Sequence, residues 1–244
     1  VIFQGMSLDH ETFADNLRSV RERIGAAAAR TGRSPEDIRL MAVTKTFPLE
    51  YIETARRAGL TLFGENRVQE AQEKYQSPDE DPELELHLIG HLQRNKAKTA
   101  ASLFRCVQSI DKLETAEALN RHCADLGRRM DILLELNTSG EGTKFGFADA
   151  EQLWWTCGRI ARLELLRIRG VMTVGPFTTD QDRMRRSFAS LRECRDGLHS
   201  RYPELSLDIL SMGMSGDFEI AIEEGATMIR VGTVLFGPRG GENG

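Results

Sequence analysis

The sequence predicts a single (β/α)8 TIM barrel with an extra N-terminal helix, and three observations carry that expectation. Eight short apolar runs recur, at residues 38–43, 60–63, 84–89, 104–107, 132–136, 168–174, 207–210 and 228–231, separated by connections that are mostly amphipathic, such as "PLEYIETARRAG" and "DKLETAEALNRHCADLG". The runs are continuously apolar rather than alternating, which suits parallel strands covered on both faces. The first run leads into "AVTKTFP", which has no glycine. A dinucleotide-binding fold would be expected to place a glycine-rich fingerprint there.

The elements follow in order. From residue 8 to about residue 30, Phe13, Leu17, Val20 and Ile24 recur at helical spacing and an alanine run follows. Ser34 and Pro35 in "TGRSPED" mark a turn before the first strand. Strand and helix candidates then alternate, and the acidic "QSPDEDPE" reads as a solvated loop. Nothing between the runs is long enough for a second domain, so residues 6–244 are expected to form one domain. The opening VIFQG, residues 1–5, reads as an expression-tag remnant ahead of Met6.

A formal net charge of -5 argues against wholesale nucleic-acid binding, although RRM and RMRR make local basic patches. No apolar run reaches the length of a membrane span, and no signal-peptide pattern follows Met6. Cys106, Cys123, Cys157 and Cys194 include no CxxC pair, which gives no support to a zinc knuckle or a redox motif and fits a reducing cytoplasm.

In such a barrel, chemistry collects at the C-terminal ends of the strands. Read in order, those ends supply Lys45, "GENRVQE", "IGHLQRNK", "QSID", "LNTSGEGTKFG", "MTVG", "SMGMSGD" and "RVGTVLFG". Lysine is a poor nucleophile at its ordinary pKa of about 10.4. Removing water at a barrel mouth disfavours the ammonium and frees the lone pair to condense with an aldehyde. A lysine that snorkels to water from a strand end explains the position of Lys45 equally well.

The C-terminal third separates these alternatives. In "SMGMSGDFEIAIEEGA", Met214, Ser215 and Gly216 would offer backbone amides near a helix start, with the Ser215 hydroxyl beside them. Asp217 there is expected to cap the helix and point away from a ligand. In "RVGTVLFG", Gly232 permits close backbone approach and Thr233 adds a donor. An anion anchor across the mouth from an imine-capable lysine implies a phosphorylated aldehyde, and the obvious cofactor is pyridoxal 5'-phosphate (PLP). A Schiff-base aldolase would share these features, but its lysine would more usually lie on a later strand.

Together "AVTKTFP", "LFGENRVQE", "HLIGHLQRNK", "LNTSGEGTKFG", "SMGMSGDFEIAIEEG" and "IRVGTVLFG" resemble the YggS/PROSC family of pyridoxal phosphate homeostasis proteins, over roughly residues 8–237. That family is similar to the barrel domain of alanine racemase without its second domain. The resemblance implies that Lys45 holds PLP as a Schiff base and that Ser215, Gly216, Gly232 and Thr233 bind its phosphate. It also implies that Arg230 faces the pyridine nitrogen and that Asn66 lies near the ring. An arginine does not readily protonate that nitrogen, so the ring stays a weaker electron sink than it would be opposite an aspartate. Met172 and Met212 are candidates for the cavity wall or for plain core. The family form near the third strand is roughly "WHFIG", whereas this chain has "LHLIG", with Leu86 before His87.

The function implied is a PLP carrier and homeostasis protein without established turnover, monomeric, with apo PLP-dependent enzymes as its recipients. The alternative is a single-domain PLP-dependent amino-acid racemase or lyase. Racemisation needs an acid/base on each face of the α-carbon, and Tyr51, Tyr75 and Tyr202 all fall in or beside predicted helices, which gives a two-base racemase little support. Whether any amino acid is turned over stays open at this point. A third reading is a protein-binding scaffold in which the lysine is incidental.

The remaining signals are weaker. His87 and His91 have i,i+4 spacing but straddle a strand and a helix start, so no metal site is expected. Glu65, Glu70 and Glu73 with Arg67 and Lys74 read as a solvated, salt-bridged helix face. Arg94, Lys96 and Lys98 form either a positive rim or ordinary surface. Of the adjacent Trp154 and Trp155, at most one is expected to face the core. Lys144 also follows a strand and ranks second as the imine lysine.

Overall fold

In a computed structural model, residues 9–75, 81–142 and 144–238 are described; residues 1–5, expected to be a tag remnant, and residues 76–80 of the acidic stretch lie outside them. Eight parallel strands close into a barrel in sequence order. They are β1 (Arg39–Val43), β2 (Leu62–Glu65), β3 (Glu85–Leu88), β4 (Cys106–Ile110), β5 (Met130–Glu135), β6 (Leu166–Met172), β7 (Ile209–Ser211) and β8 (Met228–Val231). Every strand overlaps one of the apolar runs. β4 extends three residues past its run because two polar residues there are buried and partnered. Gln108 hydrogen-bonds across the barrel interior, and the Ser109 hydroxyl donates to the Gly90 carbonyl at 2.6 Å.

After the strands come α2 (Leu49–Arg57), α3 (Val68–Lys74), α4 (Ala97–Leu103), α5 (Leu113–Asp125), α6 (Ala150–Ile160), α7 (Gln181–Arg201), α8 (Phe218–Glu223) and α9 (Thr233–Phe236). The main core fills the layer between strands and helices, with Phe63, Phe104, Leu119 and Phe188 fully buried. Two smaller apolar clusters, Met41/Leu62/Met228 and Cys106/Leu133/Met172, stand apart from it on the strands. The β6–β7 seam requires glycine at position 170, where φ is +151° and a Cβ would lie 1.8 Å from the Ile209 carbonyl oxygen.

The extra helix, α1 (His10–Arg30), packs on α8 and α9 beside the β8–β1 seam. Its stripe Phe13, Leu17, Val20 and Ile24 is buried, each side chain contributing about 2 kcal/mol. Phe13 stacks on Phe236 at 5.5 Å, Asn16 donates to the Leu235 carbonyl, and Arg23 pairs with Glu219. Among the described residues, no helix is long and apolar enough to cross a membrane.

Candidate functional site

The C-terminal ends of the strands open onto a cavity of about 1060 Å³, and all seven residues singled out above border it: Lys45, Asn66, Ser215, Gly216, Arg230, Gly232 and Thr233. Lys45 follows β1 and is half-buried. Its neighbours are rigidly held. The Thr44 hydroxyl donates to Glu65 at 2.7 Å and lies 2.6 Å from the Tyr75 hydroxyl, while the Lys74 ammonium bonds the Thr44 carbonyl, Glu65 and Glu70. Thr46 has φ 66°, a left-handed conformation that β-branched residues rarely adopt, and its N–H is held by the Glu70 carboxylate. Thr46 is thus a strained residue clamped directly beside the lysine.

The loops after β2 and β3 meet backbone to backbone, for a Cβ on Gly90 would lie 2.2 Å from the Asn66 carbonyl oxygen. On the other side, the Gly232 N–H donates to the Ser215 hydroxyl at 3.3 Å, tying together the loops after β7 and β8. A Cβ on Gly232 would lie 3.0 Å from the Val43 carbonyl oxygen, so the close approach foreseen there is to β1. The Ser215, Gly216 and Thr233 N–H groups make no hydrogen bond within the described residues and remain available to an anion. One donor foreseen from sequence is not available, because the Met214 N–H is bonded to Asp217 Oδ1 at 2.6 Å.

Arg230 forms the floor, 4% exposed, with its terminal nitrogens on the Ser211 hydroxyl and the Thr173 carbonyl, both at 2.7 Å. Burial lowers its pKa to about 10, opposed by Asp217 and Glu135, so it stays a cation at neutral pH. Glu135, at the end of β5, also borders the cavity. Burial first and then the charge of Asp111 raise its carboxyl to about 7, against the pull of Arg230. Around the mouth, His91 stacks on Phe145 at 3.9 Å with its Nδ1 3.5 Å from Asp111 Oδ2, and Phe177 is fully exposed.

Several expectations need correction or refinement. Glu65 is not on a solvated helix face; it ends β2, is fully buried, and is compensated by Lys74 and Thr44. Lys144 does not border the cavity and instead bonds Glu141 and the Gly175 carbonyl. Of the basic trio, Lys96 lines the cavity and Arg94 and Lys98 do not. Met172 and Met212 are fully buried core. None of the three tyrosines lines the cavity. His87 is buried between Glu85 and Gln108, away from His91, and among the described residues no group of three or more His, Cys, Asp or Glu could hold a metal ion. Trp154 is partly buried and donates to the Cys194 carbonyl, whereas Trp155 is exposed. Sequence reasoning passed over Glu135, although a charge inside "ILLELN" at a strand end was a visible signal.

A closed (β/α)8 barrel with a lysine just after its first strand is of the class of the alanine racemase N-terminal domain, and the family model of that description matches residues 8–240. The pyridoxal phosphate homeostasis protein of Vibrio alginolyticus is 39% identical over 227 residues, 92% of this chain and 96% of its own. The protein of that name in Escherichia coli K12 is 41% identical over 228 residues, covering 93% and 96%. This chain belongs to the pyridoxal phosphate homeostasis protein family. Among solved structures, an unknown protein from Bifidobacterium adolescentis matches with a TM-score of 0.84 at 33% identity, covering 93% of this chain and 95% of its own. PipY of Synechococcus elongatus, with PLP bound, matches at 0.81 and 36% identity, covering 92% and 100%. Alanine racemase of Clostridium difficile shares the fold at 0.68 and 18% identity, this chain covering 58% of that enzyme.

Proposed function

We propose that this chain binds PLP in the mouth cavity and serves as a homeostasis and carrier protein without catalytic turnover. The observation that carries the reading is that one cavity brings together an amine, a buried guanidinium and three unengaged backbone N–H groups. That donor set fits a phosphorylated aldehyde, and relatives bearing the homeostasis name, with PLP bound in PipY, support the choice of ligand. When bound, PLP supplies an aldehyde that condenses with primary amines and a ring that withdraws electrons.

In this reading Lys45 forms the Schiff base, its direction set by the constraint at Thr46. Ser215, Gly216 and Thr233 orient the phosphate, Gly216 leaving the backbone uncovered by a side chain, while Gly232 packs against β1 and its N–H holds the Ser215 hydroxyl in place. Asn66 borders the ring and Arg230 keeps a fixed positive charge beneath it. Residues 6–244 act as one PLP-binding domain, a cytoplasmic monomer that hands its cofactor to apo PLP-dependent enzymes.

One observation favours a racemase or lyase instead: Glu135 places a carboxyl with proton affinity near neutrality on the cavity wall, where an acid/base could act. Visible spectroscopy with added PLP, borohydride trapping and peptide mapping, beside a Lys45→Ala control, test the binding mode; an adduct elsewhere defeats it. Incubating the loaded protein with amino acids in heavy water tests the role. No exchange of the α-proton is expected, and exchange would establish the enzyme.

A further inference from the structure

We propose that Glu85, His87, Gln108 and Ser211 are positioning residues, forming a hydrogen-bonded chain through the barrel that fixes Arg230 beneath the cavity from the opposite rim. The proposal rests on the PLP reading only for what Arg230 faces.

The chain starts at the cavity floor, where Arg230 Nη1 donates to Ser211 Oγ at 2.7 Å. The Ser211 hydroxyl donates to Gln108 Oε1 at 2.7 Å, and Gln108 Nε2 meets His87 Nδ1 at 2.8 Å. His87 Nε2 meets Glu85 Oε1 at 2.9 Å, and Arg39 closes the far end on the other Glu85 oxygen. Arg39 and Glu85 begin β1 and β3, while Arg230 lies near the end of β8, so the chain spans the barrel from one mouth to the other. Ser211, Gln108, His87 and Arg230 are all buried.

Only one arrangement of protons satisfies every link. Arg230 can only donate, so Ser211 accepts from it and has its own proton for the Gln108 carbonyl. The Gln108 amide then donates to His87 Nδ1, which must be bare, and the ring proton sits on Nε2 facing the carboxylate. Turning the Gln108 amide over would leave the serine proton without an acceptor and point a bare imidazole nitrogen at Glu85. The donors therefore all run from Arg230 towards Glu85. Burial lowers the pKa of His87 and so favours the neutral ring, although Glu85 opposes this. Burial would raise the Glu85 carboxyl, but His87 and Arg39 outweigh it and hold it at about 2, a permanent anion.

An amide in the middle does not relay protons, so the chain transmits orientation and polarisation only. Asp217 and Glu135 supply the nearby negative charge for the buried guanidinium, whose own hydrogen bonds go to Ser211 and the Thr173 carbonyl, so the chain behind Ser211 fixes its geometry.

The test compares wild type, His87→Leu, His87→Gln and Glu85→Gln, with Arg230→Lys to assign the guanidinium signal. Nitrogen-15 NMR of the cofactor-free protein should show His87 as the Nε2–H tautomer. The Arg230 signal should move in His87→Leu and Glu85→Gln. It should return towards wild type in His87→Gln, whose amide can accept from Gln108 and donate to Glu85. With PLP added, the same two variants should show a displaced absorption band and release PLP about tenfold faster, the loss expected for one charge-assisted hydrogen bond. An Nδ1–H tautomer overturns the proposal, as does an unchanged Arg230 signal and PLP band in folded His87→Leu and Glu85→Gln. If His87→Leu does not fold, Glu85→Gln at the partly exposed rim carries the comparison. A wild type that takes up no PLP defeats the binding reading, and the chain is then decided by NMR of the cofactor-free protein.

Discussion

Replacing Glu135 by glutamine should change how stability depends on pH. The carboxyl is 6% exposed and its pKa moves from the ordinary 4.5 to about 7 on folding, through burial and the nearby Asp111. Because the folded state holds this proton more tightly than the unfolded state, stability is fully present below about 4.5, falls as pH rises, and levels off above about 7. At about 1.4 kcal/mol per pH unit, the cost to the wild type at pH 8 is about 3 kcal/mol. Glutamine does not ionise, so Glu135→Gln loses this slope and should gain about 3 kcal/mol on the wild type between pH 4.5 and 8. Urea unfolding of the cofactor-free proteins, followed by circular dichroism at half-unit steps of pH, measures the gap. A gap that stays flat, or widens towards acid, refutes the reasoning.

Further substitutions test other parts of the site and barrel. Lys74→Met strands the buried Glu65 carboxylate and should destabilise by about 3 kcal/mol at pH 8. The loss should shrink towards pH 5, since burial raises Glu65 against Lys74 and Thr44, and the loss of Lys74 raises it further; a pH-independent loss in urea titrations contradicts this. Thr46→Gly relieves about 1 kcal/mol of left-handed strain and adds a comparable unfolded-state entropy, so stability should change by less than about 1 kcal/mol. The same variant should slow borohydride trapping of PLP because Lys45 is aimed less tightly, and unchanged trapping would count against a positioning role for Thr46. Gly170→Ala drives a methyl group into the Ile209 carbonyl and should cost about 4 kcal/mol or prevent folding. A near-wild-type melting temperature would show that the β6–β7 seam can open at little cost.

The barrel was legible because parallel strands buried on both faces leave unbroken apolar runs, and α1 because a single stripe at helical spacing faces one way. What escaped was the buried polar content. Gln108 and Ser109 ended the visible run of β4, yet their partners lie on other strands and in another loop, so sequence neighbours could not show that both are satisfied. Glu65 continued into the charged pattern of α3 and looked solvated; the groups that compensate it, Thr44 and Lys74, approach from either side. Lys45, Ser215, Gly216, Gly232 and Thr233 could be placed at the mouth because strand ends, glycines and a lysine announce themselves locally, whereas Asn66 and Arg230 came from the family resemblance; all seven border the cavity. The Met214 amide could not be read, for its occupation depends on where the Asp217 carboxylate turns.

Lys45 and the proposed anion cradle come from opposite ends of the chain. Lys45 follows β1, whereas Ser215 and Gly232 follow β7 and β8, and β8 pairs with β1 from Arg39↔Met228 to Ala42↔Val231. The neighbouring β7–β8 ladder is the shortest of the barrel, a single register pair at Ser211↔Met228. If these residues hold PLP as proposed, a chain still emerging from the ribosome has its amine long before the anion cradle exists, and retains no phosphorylated aldehyde until the ring is shut. Once the ring is shut, a ligand touching all three strands would act as a clasp over the joint between the two ends of the chain, and its affinity would add directly to the work of reopening it.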